Sequence, residues 1–101
     1  MNKTKRKELY HKAINKWGLQ AQLIMLMEEC AELIQATSKI IRHIPKTETD
    51  WNNFAEEIAD VEIMIEQMKM NVNWQNLNER VETIKKEKLL KLKSIIEKKL
   101  D

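Results

Sequence analysis

Two short runs of this 101-residue chain gather the side chains best suited to holding a divalent cation. Glu28-Glu29-Cys30-Ala31-Glu32-Leu33 and Glu56-Glu57-Ile58-Ala59-Asp60-Val61 both read acid-acid-x-Ala-acid-aliphatic, offset by 28 residues. On a helix turning about 100° per residue, Glu28, Glu32 and Glu29 fall at about 0°, 40° and 100°. Glu56, Asp60 and Glu57 take the same three angles on theirs. Each helix therefore projects three carboxylates from one quadrant. Acids on helices are ordinarily solvated and inert, but these six sit among apolar residues (Leu26, Met27, Cys30, Leu33 and Ile34; Phe54, Ile58, Val61 and Ile65) and have no basic residue three or four positions away. Like charges at that spacing repel, and six converging carboxylates demand protons or cations. Oxygen ligands favour hard divalent ions, Mg²⁺ or Mn²⁺ before zinc, because no His or Cys pair accompanies them. A di-iron bundle would need Glu-x-x-His motifs, and His11 and His43 lie outside both runs. Ala31 and Ala59 would let the two helices approach beside the acids. By contrast, Glu62 and Glu66 point away from the triplet and read as a solvated face.

The elements that must carry these motifs are helices. One Gly and one Pro in the whole chain are too few for a sandwich or barrel and exclude a Gly-rich phosphate cradle. Leu, Ile, Met, Ala, Glu, Lys and Gln dominate, the residues that lose least on entering a helix. An amphipathic helix is predicted over 4–16, with Leu9, Ala13, Ile14 and Trp17 on its apolar side and Gly18 as its stop. A second runs from Leu19 to about Ile41, apolar nearly all round, which implies burial on several sides. A loop over Arg42–Asp50 contains Pro45, and Thr49 or Asp50 offers the N-cap of a third helix from Trp51 to Met70. Asn71 and Asn73 break that helix, and Asn73 can cap a last helical region over 74–99, as one helix or two. The expectation is an all-α bundle of about four helices forming a single domain over 1–101, completed by oligomerisation.

Charge is segregated along the chain. The net charge is +2, yet residues 1–18 carry +5, residues 19–78 carry −6 and residues 79–101 carry +3. An acidic middle between basic ends is not the continuous basic face that nucleic-acid binding requires. No run approaches the roughly 18 apolar residues of a membrane span. The basic N-terminus lacks the apolar stretch of a signal peptide, and the single Cys30 suits a reducing compartment. These features predict a cytoplasmic protein with neither membrane nor nucleic-acid partner.

The paired motifs, Glu-Glu-x-x-Glu at 28–32 and Glu-x-x-Asp at 57–60, with their strings EECAELIQA and EEIADVEIMIEQM, resemble the MazG-like all-α nucleoside triphosphate pyrophosphohydrolases, especially the small single-domain bacterial and phage-type members. The similarity covers about residues 14–70 well and the C-terminal helix more loosely. It implies Mg²⁺-dependent cleavage of a nucleoside triphosphate between the α and β phosphates. It also implies metal ligation by Glu29, Glu32, Glu57 and Asp60, and a homo-oligomer, dimer or tetramer. Glu28 is the candidate to accept the attacking water's proton. The family's Lys-containing C-terminal segment singles out Lys85 and Lys88 for the phosphates, although a run such as Lys85-Lys86-Glu87-Lys88 is ordinarily a solvated face. Trp17-Gly18 and Gln22 resemble family features near the nucleotide. Trp17, Trp51 and Trp74 are available to wall a base. A different class of function is also compatible with the charge pattern: a helical interaction module whose basic ends contact nucleic acid or an acidic partner.

Overall fold

A computed structural model describes residues 1–71 and 74–98, and all of its regular structure is helical. The order is α1 (Lys3–Trp17), α2 (Leu19–Arg42), α3 (Glu48–Lys69) and α4 (Leu77–Glu97), with no strand among the described residues. The all-α fold expected from composition is therefore the one observed. None of these helices is long and apolar enough to cross a membrane. The chain divides into two units, Met1–Met70 with α1–α3 and Asn71–Asp101 with α4.

In the first unit, α2 and α3 form the main packed pair, and α1 rests on them. Gly18 makes the sharp junction between α1 and α2. Its φ of 87° lies where a side chain is strained, and its N–H closes α1 on the Ile14 carbonyl at 2.8 Å. The start of α3 departs from expectation. Thr47, not Thr49 or Asp50, is the N-cap, and the helix begins at Glu48 rather than Trp51. The reason is a reciprocal capping box. Asp50 N–H donates to Thr47 Oγ1 at 3.2 Å, while Thr47 N–H donates to Asp50 Oδ2 at 2.9 Å. His43, the C-cap of α2, reaches the same buried carboxylate, Nδ1 to Oδ1, at 2.7 Å. The Thr47 backbone hydrogen bond, then His43, holds Asp50 below the ordinary carboxyl range.

The core of the unit is small and partly polar. Tyr10, Ala36, Val61, Met64 and Met68 are buried, together with Gln22 and Gln67. Gln67 Nε2 donates to Gln22 Oε1 at 2.8 Å, an amide bridge between α2 and α3 in the interior. Burial on several sides of α2 is not what the chain shows. Leu26, Cys30 and Leu33 are half-buried, and Met27 and Ile34 are exposed, because α3 and α1 cover only one side of it.

Glu66 also corrects the expectation of a solvated face. Arg6 Nε donates to Glu66 Oε1 at 2.6 Å and the Tyr10 hydroxyl donates to the same oxygen at 2.7 Å, fastening α1 to α3. These hydrogen bonds, Arg6 first, lower the Glu66 carboxyl, while burial, then the bond to Glu66, pushes the Tyr10 phenol up to about 12. Tyr10→Phe should cost about 0.5–1.5 kcal/mol in urea unfolding. Glu66→Ala should cost more, because it strands the guanidinium as well as the phenol.

In the second unit α4 is one continuous helix, which answers the question of one or two. It starts later than 74, after Gln75 and Asn76 in left-handed conformation, with Asn76 at the N-cap. The expected cap Asn73 lies outside the described residues. Ile84, Leu89, Leu92, Ile95 and Ile96 are exposed along it.

Candidate metal centre

Antiparallel packing brings the two copies of the acidic motif face to face. The bridge sets the register. Moving from Gln22 toward the end of α2, and from Gln67 back toward the start of α3, seven residues lead to Glu29 and Asp60, and ten lead to Glu32 and Glu57. The two motifs are thus related by a local pseudo-two-fold axis. One carboxylate oxygen from each of Glu29, Glu32, Glu57 and Asp60 lies within 4.8 Å of all the others. Glu29 and Glu57 are half-buried, whereas Glu32 and Asp60 face solvent. The cluster therefore combines two half-buried carboxylates with two that are open to solvent.

The electrostatics are those of a site short of positive charge. Desolvation is the largest force raising the Glu29 carboxyl above its ordinary value, followed by repulsion from Glu32, Asp60 and Glu57. Glu57 is raised by desolvation as well, then by Glu32, with Asp60 and Glu56 adding to it. Glu32 is the neighbour that acts on both half-buried carboxyls. Glu29 Oε2 and Glu57 Oε2 are buried with no hydrogen-bond partner, a costly condition for a carboxylate. A divalent cation held among the four carboxylates would relieve the repulsion. The donor set, all carboxylate oxygen, matches Mg²⁺ or Mn²⁺.

The remaining candidates lie elsewhere. Glu28 and Glu56 are exposed beside the four-oxygen cluster and contribute no atom to it. Lys85 and Lys88 stand exposed on α4, in the other unit, and Lys85 pairs with Glu82 at 3.8 Å. Trp17 and Gln22 line a groove of about 710 Å³ together with Leu9, Ala13, Met25 and Ile63. Met25 is one turn before Glu29 and Ile63 one turn after Asp60, so the groove adjoins the carboxylates. Lys12 and Lys16 lie in its wall, and Lys16 Nζ is 5.2 Å from the centre of the Trp17 ring. Sequence reasoning missed Gln67, Lys12 and Lys16. A signal existed for Gln67, a polar residue at an angle on α3 otherwise taken by core side chains. No family model, curated protein or solved structure matches this chain.

Proposed function

We propose that this protein is a Mg²⁺-dependent nucleotide pyrophosphohydrolase, cleaving a (deoxy)nucleoside triphosphate to the monophosphate and pyrophosphate. The observation that carries the reading is the four-carboxylate cluster with two buried, unpartnered oxygens. The MazG-like resemblance of the two motifs supplies the reaction class. Glu29, Glu32, Glu57 and Asp60 would hold the metal. When bound, Mg²⁺ screens the triphosphate's charge and stabilises the charge that develops on the leaving pyrophosphate.

The chain's own groups divide the remaining work. Water attacks the α phosphorus, its oxygen forms the new P–O bond, and the bond to the α–β bridging oxygen breaks. Glu28, exposed at the edge of the cluster, accepts the proton that this water loses. The groove beside the cluster offers Trp17 as a stacking surface for a base and Gln22 as a hydrogen-bonding amide. Lys12 and Lys16 in the wall of the groove supply cations for phosphate oxygens left unscreened, and Lys85 and Lys88 are assigned to phosphate by the family resemblance alone. The reading includes Mn²⁺ as an alternative metal, a cytoplasmic setting and a homo-oligomer of two or four chains.

Incubation with ribo-, deoxy- and modified triphosphates, products resolved as pyrophosphate or phosphate, tests it. Pyrophosphate should form from at least one substrate with Mg²⁺ and from none with a chelator. Salt-sensitive binding to nucleic acid with no metal-dependent product would instead favour the helical interaction module.

A further inference from the structure

The amide bridge between α2 and α3 is only half made. Gln67 Nε2 donates to Gln22 Oε1 at 2.8 Å. Two amides lying edge to edge can exchange two such bonds, but Gln22 Nε2 makes no return bond to Gln67 Oε1. Among the described residues these two atoms have no other partner. They are not sealed in the interior as Glu29 Oε2 and Glu57 Oε2 are. Gln22 and Gln67 are 6% and 3% exposed, and both line the groove of about 710 Å³. What surface they keep faces that groove. An N–H donor and a carbonyl acceptor therefore stand side by side in a slot otherwise walled by Leu9, Ala13, Met25 and Ile63. An unmade pair in such surroundings costs stability unless a ligand completes it.

A matching ligand must present an acceptor beside a donor. The Watson–Crick edge of a nucleobase does so, as a carbonyl beside a ring N–H or an amino group beside a ring nitrogen. The bridge serves both orders. When both amides turn end for end, the bond runs from Gln22 to Gln67 and the free donor and acceptor change places. Distance agrees with this assignment. Gln22 precedes Glu29 by seven residues, about 10 Å along α2, which leaves room for a sugar between the base edge and a phosphate at the carboxylates. Trp17, in the same groove, can cover the face of the base.

We propose that Gln22 and Gln67 together select the base. The pair accepts any nucleotide whose Watson–Crick edge offers a donor beside an acceptor, and it refuses one alkylated on that edge. This selection rests on the pyrophosphohydrolase reading of the neighbouring carboxylates and adds the substrate class to it. A neutral pair that can turn end for end gives tolerance among the ordinary bases. It also makes Gln67, on the helix facing Gln22, a specificity-determining residue.

Uridine triphosphates methylated at N3 or at C5 test this, because the isomers have the same size and only one is blocked on the edge. With wild-type protein and Mg²⁺, triphosphates of the ordinary bases should agree within about tenfold in kcat/KM. The C5-methyl isomer should match them, and the N3-methyl isomer should fall at least about 100-fold. Gln67→Met, which keeps the volume and removes the amide, should shrink that gap to less than about tenfold. A ratio between isomers is unaffected by any loss of metal affinity in the variant. Calorimetric titration of the two methyluridine monophosphates into wild-type protein decides the matter even if no triphosphate is cleaved or the variant does not fold. Binding of the C5 isomer alone would uphold the edge with the hydrolase reading lost. Equal treatment of the isomers by the wild type, undiminished selectivity in a folded Gln67→Met, or a groove that binds neither monophosphate would overturn it.

Discussion

Glu57→Gln should raise the melting temperature of the metal-free protein and at the same time abolish metal-dependent turnover. The two effects have one origin. Glu57 is half-buried, one of its oxygens has no partner, and neighbouring carboxylates push its carboxyl above the ordinary range. An uncharged amide of the same shape removes that repulsion and can donate to Glu32, so the folded state gains. The same change deletes a metal ligand. Because losing even an outer-shell partner of a ligand costs about 10–100-fold, losing the ligand itself should cost at least about 100-fold in pyrophosphate release. Asp60→Asn should lower activity similarly but stabilise less, since Asp60 faces solvent. Thermal melts in chelator alongside a pyrophosphate assay check both arms. A Glu57→Gln protein that melts below wild type without metal would contradict the account of the cluster as strained by its own charge.

Metal and acid should act on stability in opposite conditions. Glu29 and Glu57 have folded-state carboxyls raised above their unfolded value. Between those two values the folded state binds more protons than the unfolded state. Their contribution to metal-free stability therefore increases as pH falls from neutrality and levels off below the ordinary glutamate range. Asp50 and Glu66 behave in the reverse sense. Their depressed carboxyls contribute fully above the ordinary range and lose that contribution as pH falls through the depressed values. The metal-free protein should thus be most stable in mild acid. At neutral pH, Mg²⁺ at a hundred times its dissociation constant should add about 2.7 kcal/mol. For a domain of this size that is a rise of about 10–20 °C. The rise should shrink near pH ~5, where protons compete for the same oxygens. Melting curves at both pH values with and without Mg²⁺ provide the measurement. An absence of any shift at neutral pH and millimolar metal would count against a cation site.

The convergence of the acids is legible in the amino-acid order because it follows from helical geometry alone. Acids in one quadrant of each helix and a short connection bring four of the six together, Glu29, Glu32, Glu57 and Asp60, while Glu28 and Glu56, at the edge of that quadrant, stay exposed. Local competition is harder to read. Thr47 and Thr49 are equally good caps in isolation, and only the reach of Asp50 back to the Thr47 backbone decides between them. Glu66 reads as solvated because its partners, Arg6 and Tyr10, lie far away in sequence. Angles on α3 alone carry no information about α1. The periodicity of α2 likewise shows which residues are apolar but not what covers them. For that reason Met27 and Ile34 read as core and stand exposed.

The amide bridge between Gln22 and Gln67 gains a meaning from its position two turns from the carboxylates. Four like charges at a helix–helix contact push the helices apart or along each other. Apolar packing resists separation but is tolerant of sliding, since one leucine or methionine substitutes for the next. Two amides in the interior are not tolerant. A slip of one turn, about 5.4 Å, takes each largely buried amide away from its partner. The pair works as an index pin for the acidic cluster, and removing it should loosen the spacing of oxygens it never touches.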